Sequence, residues 1–232
     1  MQLINFHCHL ANIESIEGFL DSSSDIYISN ALDDRALEQH LLIQKNNFCI
    51  TTGQHPLYPH SSITEERVIK LLEQNMLFAV GEIGFDKRNS DFEWQKEIFL
   101  KFCDIANQFH KPVIIHCVGY YYDLLAIIKK NFPNLLYILH SFQGSIDITK
   151  EYSKLNVIFS LHHNIVKIKN SRNVLSEIFN NHNYVFETDE DASNTHDVSK
   201  TIEEISIFCD RDEDEMIEKQ SEVWAKCNIP LA

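Results

Sequence analysis

Metal-binding side chains stand at the ends of five short apolar runs in this chain. Leu3-Ile4-Asn5-Phe6 leads into His7 and His9, and Phe78-Ala79-Val80 leads through Gly81 into Glu82. Val113-Ile114-Ile115 ends at His116, Tyr137-Ile138-Leu139 at His140, and Tyr184-Val185-Phe186 runs through Glu187 and Thr188 to Asp189. Neutral imidazole and carboxylate are the ligand types that hold zinc or manganese. Ligands at the C-terminal ends of successive buried strands are how a parallel α/β barrel builds an active site. The pattern therefore points to a metal-dependent hydrolase.

The elements that must carry these ligands follow from periodicity. Strand-like runs lie near 3–6, 25–29, 48–52, 78–81, 113–116, 136–139, 157–161 and 184–187, the second of them short and polar. Amphipathic stretches fall between most of them, at 33–46, 64–75, 92–110, 121–131, 146–155 and 173–180. In the third stretch Trp94, Ile98, Phe102, Ile105 and Phe109 recur at helical spacing, which buries one face against a barrel. Eight strands with interleaved helices make a (β/α)8 barrel the economical topology, because parallel strands need crossovers. Two further helices are expected near Val198–Cys209 and Glu213–Cys227, closing the barrel. With no linker, repeat or low-complexity tract, residues 1–232 read as one domain.

Composition narrows the class. The 232 residues are close to the roughly 250 typical of such a barrel. No apolar run approaches the roughly 18 residues of a membrane span, and no basic, cleavable leader precedes His7. The six cysteines form no C-x-x-C pair, which fits a reducing cytoplasm rather than a disulfide framework. The formal charge of −14 opposes an extended duplex-binding surface, since phosphate neutralisation needs a basic stripe. The densest charge cluster, Asp210 to Glu218, is acidic and reads as a solvated helix face. The expected partner is a small substrate or a nucleic-acid end.

Each ligand candidate has a physical rationale. In extended backbone, residues i and i+2 point the same way, so His7 and His9 reach one ion while Cys8 turns into packing. Glu82 lies between Gly81 and Gly84, which permit a tight strand-to-loop bend; its two oxygens can bridge two cations, as imidazole cannot. His116 and His140 end buried runs at equivalent places. Asp189 is the final ligand or the base that orients a water, with Glu187 competing for that role. One of His162 and His163 is expected to face the barrel mouth, and we take His163 as the substrate contact. Tyr120, Tyr121 and Tyr122 follow the His116 loop and either stack on a base or sugar, Tyr120 foremost, or pack a helix start. His40, His60, His110, His182 and His196 are expected to be solvated.

The order H-x-H, G-E-I-G, I-I-H, L-H-S-F-x-G-S and E-T-D resembles the TatD family of metal-dependent hydrolases, and Gly53-Gln54-His55-Pro56 is similar to its G-x-H-P motif. The resemblance runs from His7 to Asp189. It implies an amidohydrolase-type barrel, deoxyribonuclease activity and a two-metal site. His7, His9, Glu82 and Asp189 would hold one ion, Glu82, His116 and His140 the other, and His55 would lie at the substrate rim. The chain departs from the family at Ala11, where an aspartate is usual, and at Cys117-Val118-Gly119. It also departs at 190–195, where a basic, Asn-Pro-containing loop is usual. The ligands are kept while parts that meet a polyanion are altered.

Three readings follow. In the first, two ions, zinc or manganese rather than magnesium, activate a water that attacks a phosphodiester in line, with Glu82 and Asp189 as catalytic groups. The second keeps the ions and changes the bond to an ester or amide. The third is a non-catalytic metal-binding module, whose usual signature is loss of ligands.

Overall fold

Short runs rich in branched and aromatic residues form eight strands in the computed structural model, which describes residues 2–189 and 197–227. The strands are β1 (Ile4–Cys8), β2 (Ile26–Ala31), β3 (Phe48–Thr52), β4 (Ala79–Asp86), β5 (Val113–Val118), β6 (Tyr137–Leu139), β7 (Val157–Leu161) and β8 (Asn183–Phe186). They pair in parallel in sequence order. The seam between β8 and β1 is closed by the Asp189 amide donating to the His7 carbonyl at 3.0 Å, and by Asn5, whose side chain brackets Thr188. The expected (β/α)8 barrel is present.

Two apolar layers hold it. Ile4, Phe6, Ile26, Ile28, Ala79, Ile114, Ile138, Ile158 and Val185 fill the interior. The outer layer lies between the sheet and α1 (Ile16–Asp21), α2 (Asp34–Leu41), α3 (Glu65–Glu73), α4 (Phe92–Gln108), α5 (Tyr121–Asn131), α6 (Ile146–Tyr152), α7 (Ser171–Asn181), α8 (Val198–Cys209) and α9 (Glu213–Cys227). Asp33, Thr64, Asp91, Ser145 and Asp197 each accept a first-turn amide, a cap that contributes about 1 kcal/mol. From α9, Trp224 packs on Phe6 and Phe78 with ring centroids 5.8 and 5.4 Å apart, plugging the N-terminal mouth. The opposite mouth is left for polar side chains.

Several elements differ from expectation, and α2 ends at Leu41 where the expected stretch ran to 46. α1 is too short, at six residues and with Gly18 inside it, to show a periodic face. β2 runs on to Ala31, which brings Asn30 into the barrel. β4 does not bend at Glu82 but continues to Asp86, with its register on β5 shifting between Val80 and Ile83. Gly81 and Gly84 sit at φ 141° and 145°, and a Cβ there would lie 2.5 Å from the Ile114 carbonyl and 2.0 Å from that of His116. The two glycines thus let β4 lie against β5, rather than turning the chain out of the sheet.

His40 also departs from expectation, because it is fully buried with Nε2 3.4 Å from Ser29 Oγ. Burial, aided by the charge of His9, pushes its pKa down to about 4. The unfolded chain takes up this proton near pH 6.5 and the folded chain only near pH 4, so the unfolded state binds more protons in that window. Stability therefore falls as pH drops through it, by roughly 3 kcal/mol for this group. Urea titrations should show that loss in the natural protein and a shallower acid slope in His40→Gln. Equal slopes would show that the imidazole is protonated in the fold.

Candidate metal centre

The C-terminal mouth gathers side chains that the sequence spreads over most of the chain. His7 lies in β1, Glu82 in β4 and His116 in β5, while His9, His55, His140 and Asp189 sit just beyond β1, β3, β6 and β8. Cys8 points away, packing with Leu10, Ile16 and Leu20, so the alternation of an extended strand delivers both flanking imidazoles inward. Asp189 leaves β8 at φ 52°, a region that aspartate enters more readily than most residues. That turn places its carboxylate beside the first strand.

Glu82 is the centre of the arrangement, and its two oxygens face different partners. Oε2 stands 3.4 Å from His7 Nε2 and 4.0 Å from His9 Nε2. Oε1 stands 2.7 Å from His116 Nδ1, 3.4 Å from His55 Nε2 and 3.5 Å from His140 Nε2. Asp189 Oδ1 is 3.6 Å from His9 Nε2 and 3.8 Å from His7 Nε2, and its Oδ2 is 3.6 Å from His140 Nε2. Three sets could each hold an ion: His7, His9 and Glu82; His7, His140 and Asp189; and His55, Glu82 and His116.

The spacing fits a metal. Two donors about 2.1 Å from one tetrahedral ion lie ~3.4 Å from each other, which is longer than a good hydrogen bond. Most of these separations fall near that value. Both ring nitrogens of His7 are buried with no hydrogen-bond partner among the described residues, an arrangement that calls for an explanation such as an ion.

A further layer of polar groups aims the donors. Asn30 Oδ1 accepts the Glu82 amide at 3.0 Å, and Thr51 Oγ1 donates to the same oxygen. Asn30 Nδ2 faces Glu82 Oε2 at 3.5 Å. Glu187 is fully buried behind His140, with Oε1 2.8 Å from Nδ1, and it also accepts the Ser141 amide and the Ser160 hydroxyl. It therefore orients His140, while Asp189 faces the donors. Asp86 holds His116 Nε2 at 2.8 Å and is gripped by Arg88 through Nε and Nη2. Neither Asn30 nor Asp86 is marked by the pattern that found the donors. The available clue for Asp86 is that it ends the run Ile83-Gly84-Phe85, much as the histidines end theirs.

Charge decides the protonation pattern. Burial alone would raise the Glu82 carboxyl, but the charges of His140 and His55 and the His116 hydrogen bond hold it well below the usual range. Burial likewise opposes ionisation of Asp189, and the charge of His140 with the His9 hydrogen bond overcomes it. His7 is pushed down by burial and by His140. His140 is raised, against burial, by Glu187, Asp189 and Glu82. A neutral His7 beside ionised carboxylates is a ligand set ready for a cation.

Other expected residues fall elsewhere. His55 lies not at the rim but buried, 6% exposed, within the Glu82–His116 set. His140, expected with Glu82 and His116, stands between Glu82 Oε1 and Asp189 Oδ2. Tyr120 packs on Phe92 and Phe85 at 5.0 and 6.3 Å, the helix-start packing alternative. His163 is half-buried with its ring 4.0 Å from that of His162, which caps the following turn. His60 and His110 are exposed and His182 is half-buried. His196 and the 190–195 segment lie outside the described residues.

Comparison with known proteins identifies the family. The profile described as TatD related DNase matches residues 4–226, and the chain belongs to that family. It is 27% identical over 171 residues to an uncharacterized metal-dependent hydrolase, MJ1582, of Methanocaldococcus jannaschii, covering 69% of this chain and 68% of that protein. It is 28% identical over 174 residues to the human 3'-5' RNA nuclease TATDN2, covering 65% of this chain and 23% of that one. The chain thus spans about two thirds of the archaeal relative and under a quarter of the human one. The crystal structure of YJJV, a TatD homolog from Escherichia coli K12, superposes with a TM-score of 0.80 at 20% identity, covering 98% of both chains.

The backing role of Glu187 can be tested directly. Glu187→Gln keeps the shape but loses the charge that fixes His140, and metal affinity should fall about 10- to 100-fold with the circular dichroism spectrum retained. Calorimetric titration with zinc reads this, and unchanged affinity would assign Glu187 to packing alone.

Proposed function

We propose that this protein is a metal-dependent phosphodiesterase that trims single-stranded nucleic-acid ends. The observation that carries this reading is Glu82, whose Oε2 faces His7 and His9 and whose Oε1 faces His55, His116 and His140. Such a carboxylate can serve two ions at once. His7, His9 and Asp189 would complete one ligand set, His55 and His116 the other, with His140 between them. Imidazole-rich donors favour zinc or manganese over magnesium. When bound, the two ions supply positive charge that makes water more acidic and offsets the charge that builds on the phosphoryl oxygens.

The chain's own groups do the rest. Asp189 is the carboxylate of the set that reaches solvent, with its side chain 36% exposed against 3% for Glu82. Held ionised by His140 and His9, it accepts the proton of the water that attacks phosphorus. Glu187 and Asp86 keep the imidazoles in register as the leaving oxygen departs. The net charge of −14 repels long duplexes, whereas a strand end needs only one phosphate at the mouth. The name of the human relative, a 3'-5' RNA nuclease, supports attack at an end and brings RNA into the substrate class. The cysteines of the described structure are all free, which supports a reducing compartment, and we place the protein in the cytoplasm. Among the described residues no helix is long and apolar enough to cross a membrane.

Two measurements decide it. Elemental analysis after loading with zinc or manganese should find up to two ions per chain, and Glu82→Gln should bind fewer and lose at least about 100-fold in turnover while keeping its fold. Near-normal turnover in that variant would remove the bridging role. A time course on end-labelled single-stranded DNA and RNA should show ladders from one end, with closed circular duplex left intact. Internal nicking of the circle would overturn end trimming. Hydrolysis of esters or amides with no nucleic acid cut would move the protein to an amidohydrolase activity, and no turnover of any kind would leave a binding module.

A further inference from the structure

The loops that follow the donor-bearing strands are nearly devoid of positive charge. Residues 9–15, 53–63, 119–120, 140–145 and 187–197 contain no lysine or arginine, while the loop after β4 opens with Lys87 and Arg88. Among these loops, the cations that could meet a polyanion are therefore concentrated on one side. Arg88 is not a loose surface charge. Its Nε and Nη2 hold Asp86, whose side chain is fully buried and in turn holds His116 against Glu82. The guanidinium is thus built onto the Oε1 side of the centre at a fixed place. Its side chain is nevertheless 61% exposed, and the grip on Asp86 uses two of five N–H donors, which leaves the others for an anion.

An exposed aromatic ring lies in the neighbouring loop. Tyr58, in the loop after β3, is 49% exposed, and its ring centroid lies 5.1 Å from that of His55. Asn89 Nδ2 donates to the Pro56 carbonyl at 2.7 Å, which ties the β3 and β4 loops together. Exposed tyrosines on a mouth wall often have no ligand. This one packs on an imidazole of the donor set, in a loop that a side-chain hydrogen bond ties to the loop carrying an arginine with open donors.

Resting on the phosphodiesterase reading, we propose that Arg88 and Tyr58 form a substrate subsite that takes the phosphate next to the scissile one and stacks its base. Arginine suits phosphate because its planar fork donates in pairs. A tyrosine face accepts any base, so the subsite selects single-stranded polymer without selecting sequence. Substrates with one isolated phosphate would use the centre but not the subsite.

The test uses the zinc-loaded full chain and a fluorescein-labelled phosphorothioate tetrathymidylate, a probe that resists turnover, followed by fluorescence anisotropy across a salt series. Arg88→Ala should raise Kd at least about fivefold and flatten the dependence of log K on log salt by about 0.7, the share of one single-strand phosphate. Arg88→Lys should keep the slope. Tyr58→Ala should weaken binding at least about fivefold, and Tyr58→Phe should restore it, because the face and not the hydroxyl carries stacking. With a hydrolysable tetranucleotide, both alanine variants should lose more in kcat/KM than they lose on bis(p-nitrophenyl) phosphate, which carries a single phosphate. A salt slope unmoved by Arg88→Ala, or Tyr58→Phe as weak as Tyr58→Ala, would overturn the subsite. So would a failure of the natural chain to bind the probe. If Arg88→Ala unsettles the fold through Asp86, the Tyr58 pair decides alone. Binding that behaves as expected without cleavage of the ordinary oligonucleotide would refute the phosphodiesterase reading and leave the subsite standing.

Discussion

A carboxylate sealed in the mouth of an apolar barrel is the constraint around which the rest is arranged. Glu82 is 3% exposed and remains ionised, and a charge so placed is tolerated only when it is paired and hydrogen-bonded on every side. That requirement accounts for its surroundings. Asn30 reaches across from β2 to hold its backbone amide, and imidazoles from four other strand ends face its two oxygens. Gly81 and Gly84 leave no side chain to push β4 from β5. Interior apolar residues occupy the opposite half of the barrel, where Trp224 shuts out water.

The polar shell is layered, and each layer has a different task. Apart from the 2.7 Å contact of His116 with Glu82, the innermost groups are set at separations that suit a shared cation better than each other. Behind them Glu187 fixes His140 and Asp86 fixes His116, so each imidazole presents one chosen nitrogen inward. The barrel seam adds to this. Because β8 meets β1 through Asp189, Thr188, Asn5 and His7, closing the sheet and completing the donor set are the same event. A metal held by that donor set would bind more tightly to the closed seam and so stabilise it.

Electrostatics beyond the centre divides the molecule. The overall charge is strongly negative, while the mouth concentrates imidazoles and, on its β4 side, Lys87 and Arg88. Long-range attraction for a polyanion is therefore weak, and the positive charge at the mouth is local. Under the proposed phosphodiesterase activity, this balance would favour substrates that present one accessible phosphate over those that must lie along a surface.

Much of this was legible in one dimension, because strand and helix periods are local. The runs at 48–52 and 157–161 and the helices Tyr121–Asn131, Val198–Cys209 and Glu213–Cys227 match the structure. Alternation alone placed Cys8 away from His7 and His9, and the repeated endings in histidine or carboxylate marked the mouth. What sequence could not decide is which strand ends meet across the barrel and at what height. Asn30 and Asp86 look like ordinary polar residues until parallel pairing sets them beside Glu82 and His116. His55 moves from rim to interior and His40 from solvent to core for the same reason. His140 stands between two carboxylates, Glu82 and Asp189, rather than in the Glu82–His116 set. A side chain's period is set by its own backbone, whereas its partners are set by strand register and barrel closure, which join residues as far apart as Asn5 and Thr188.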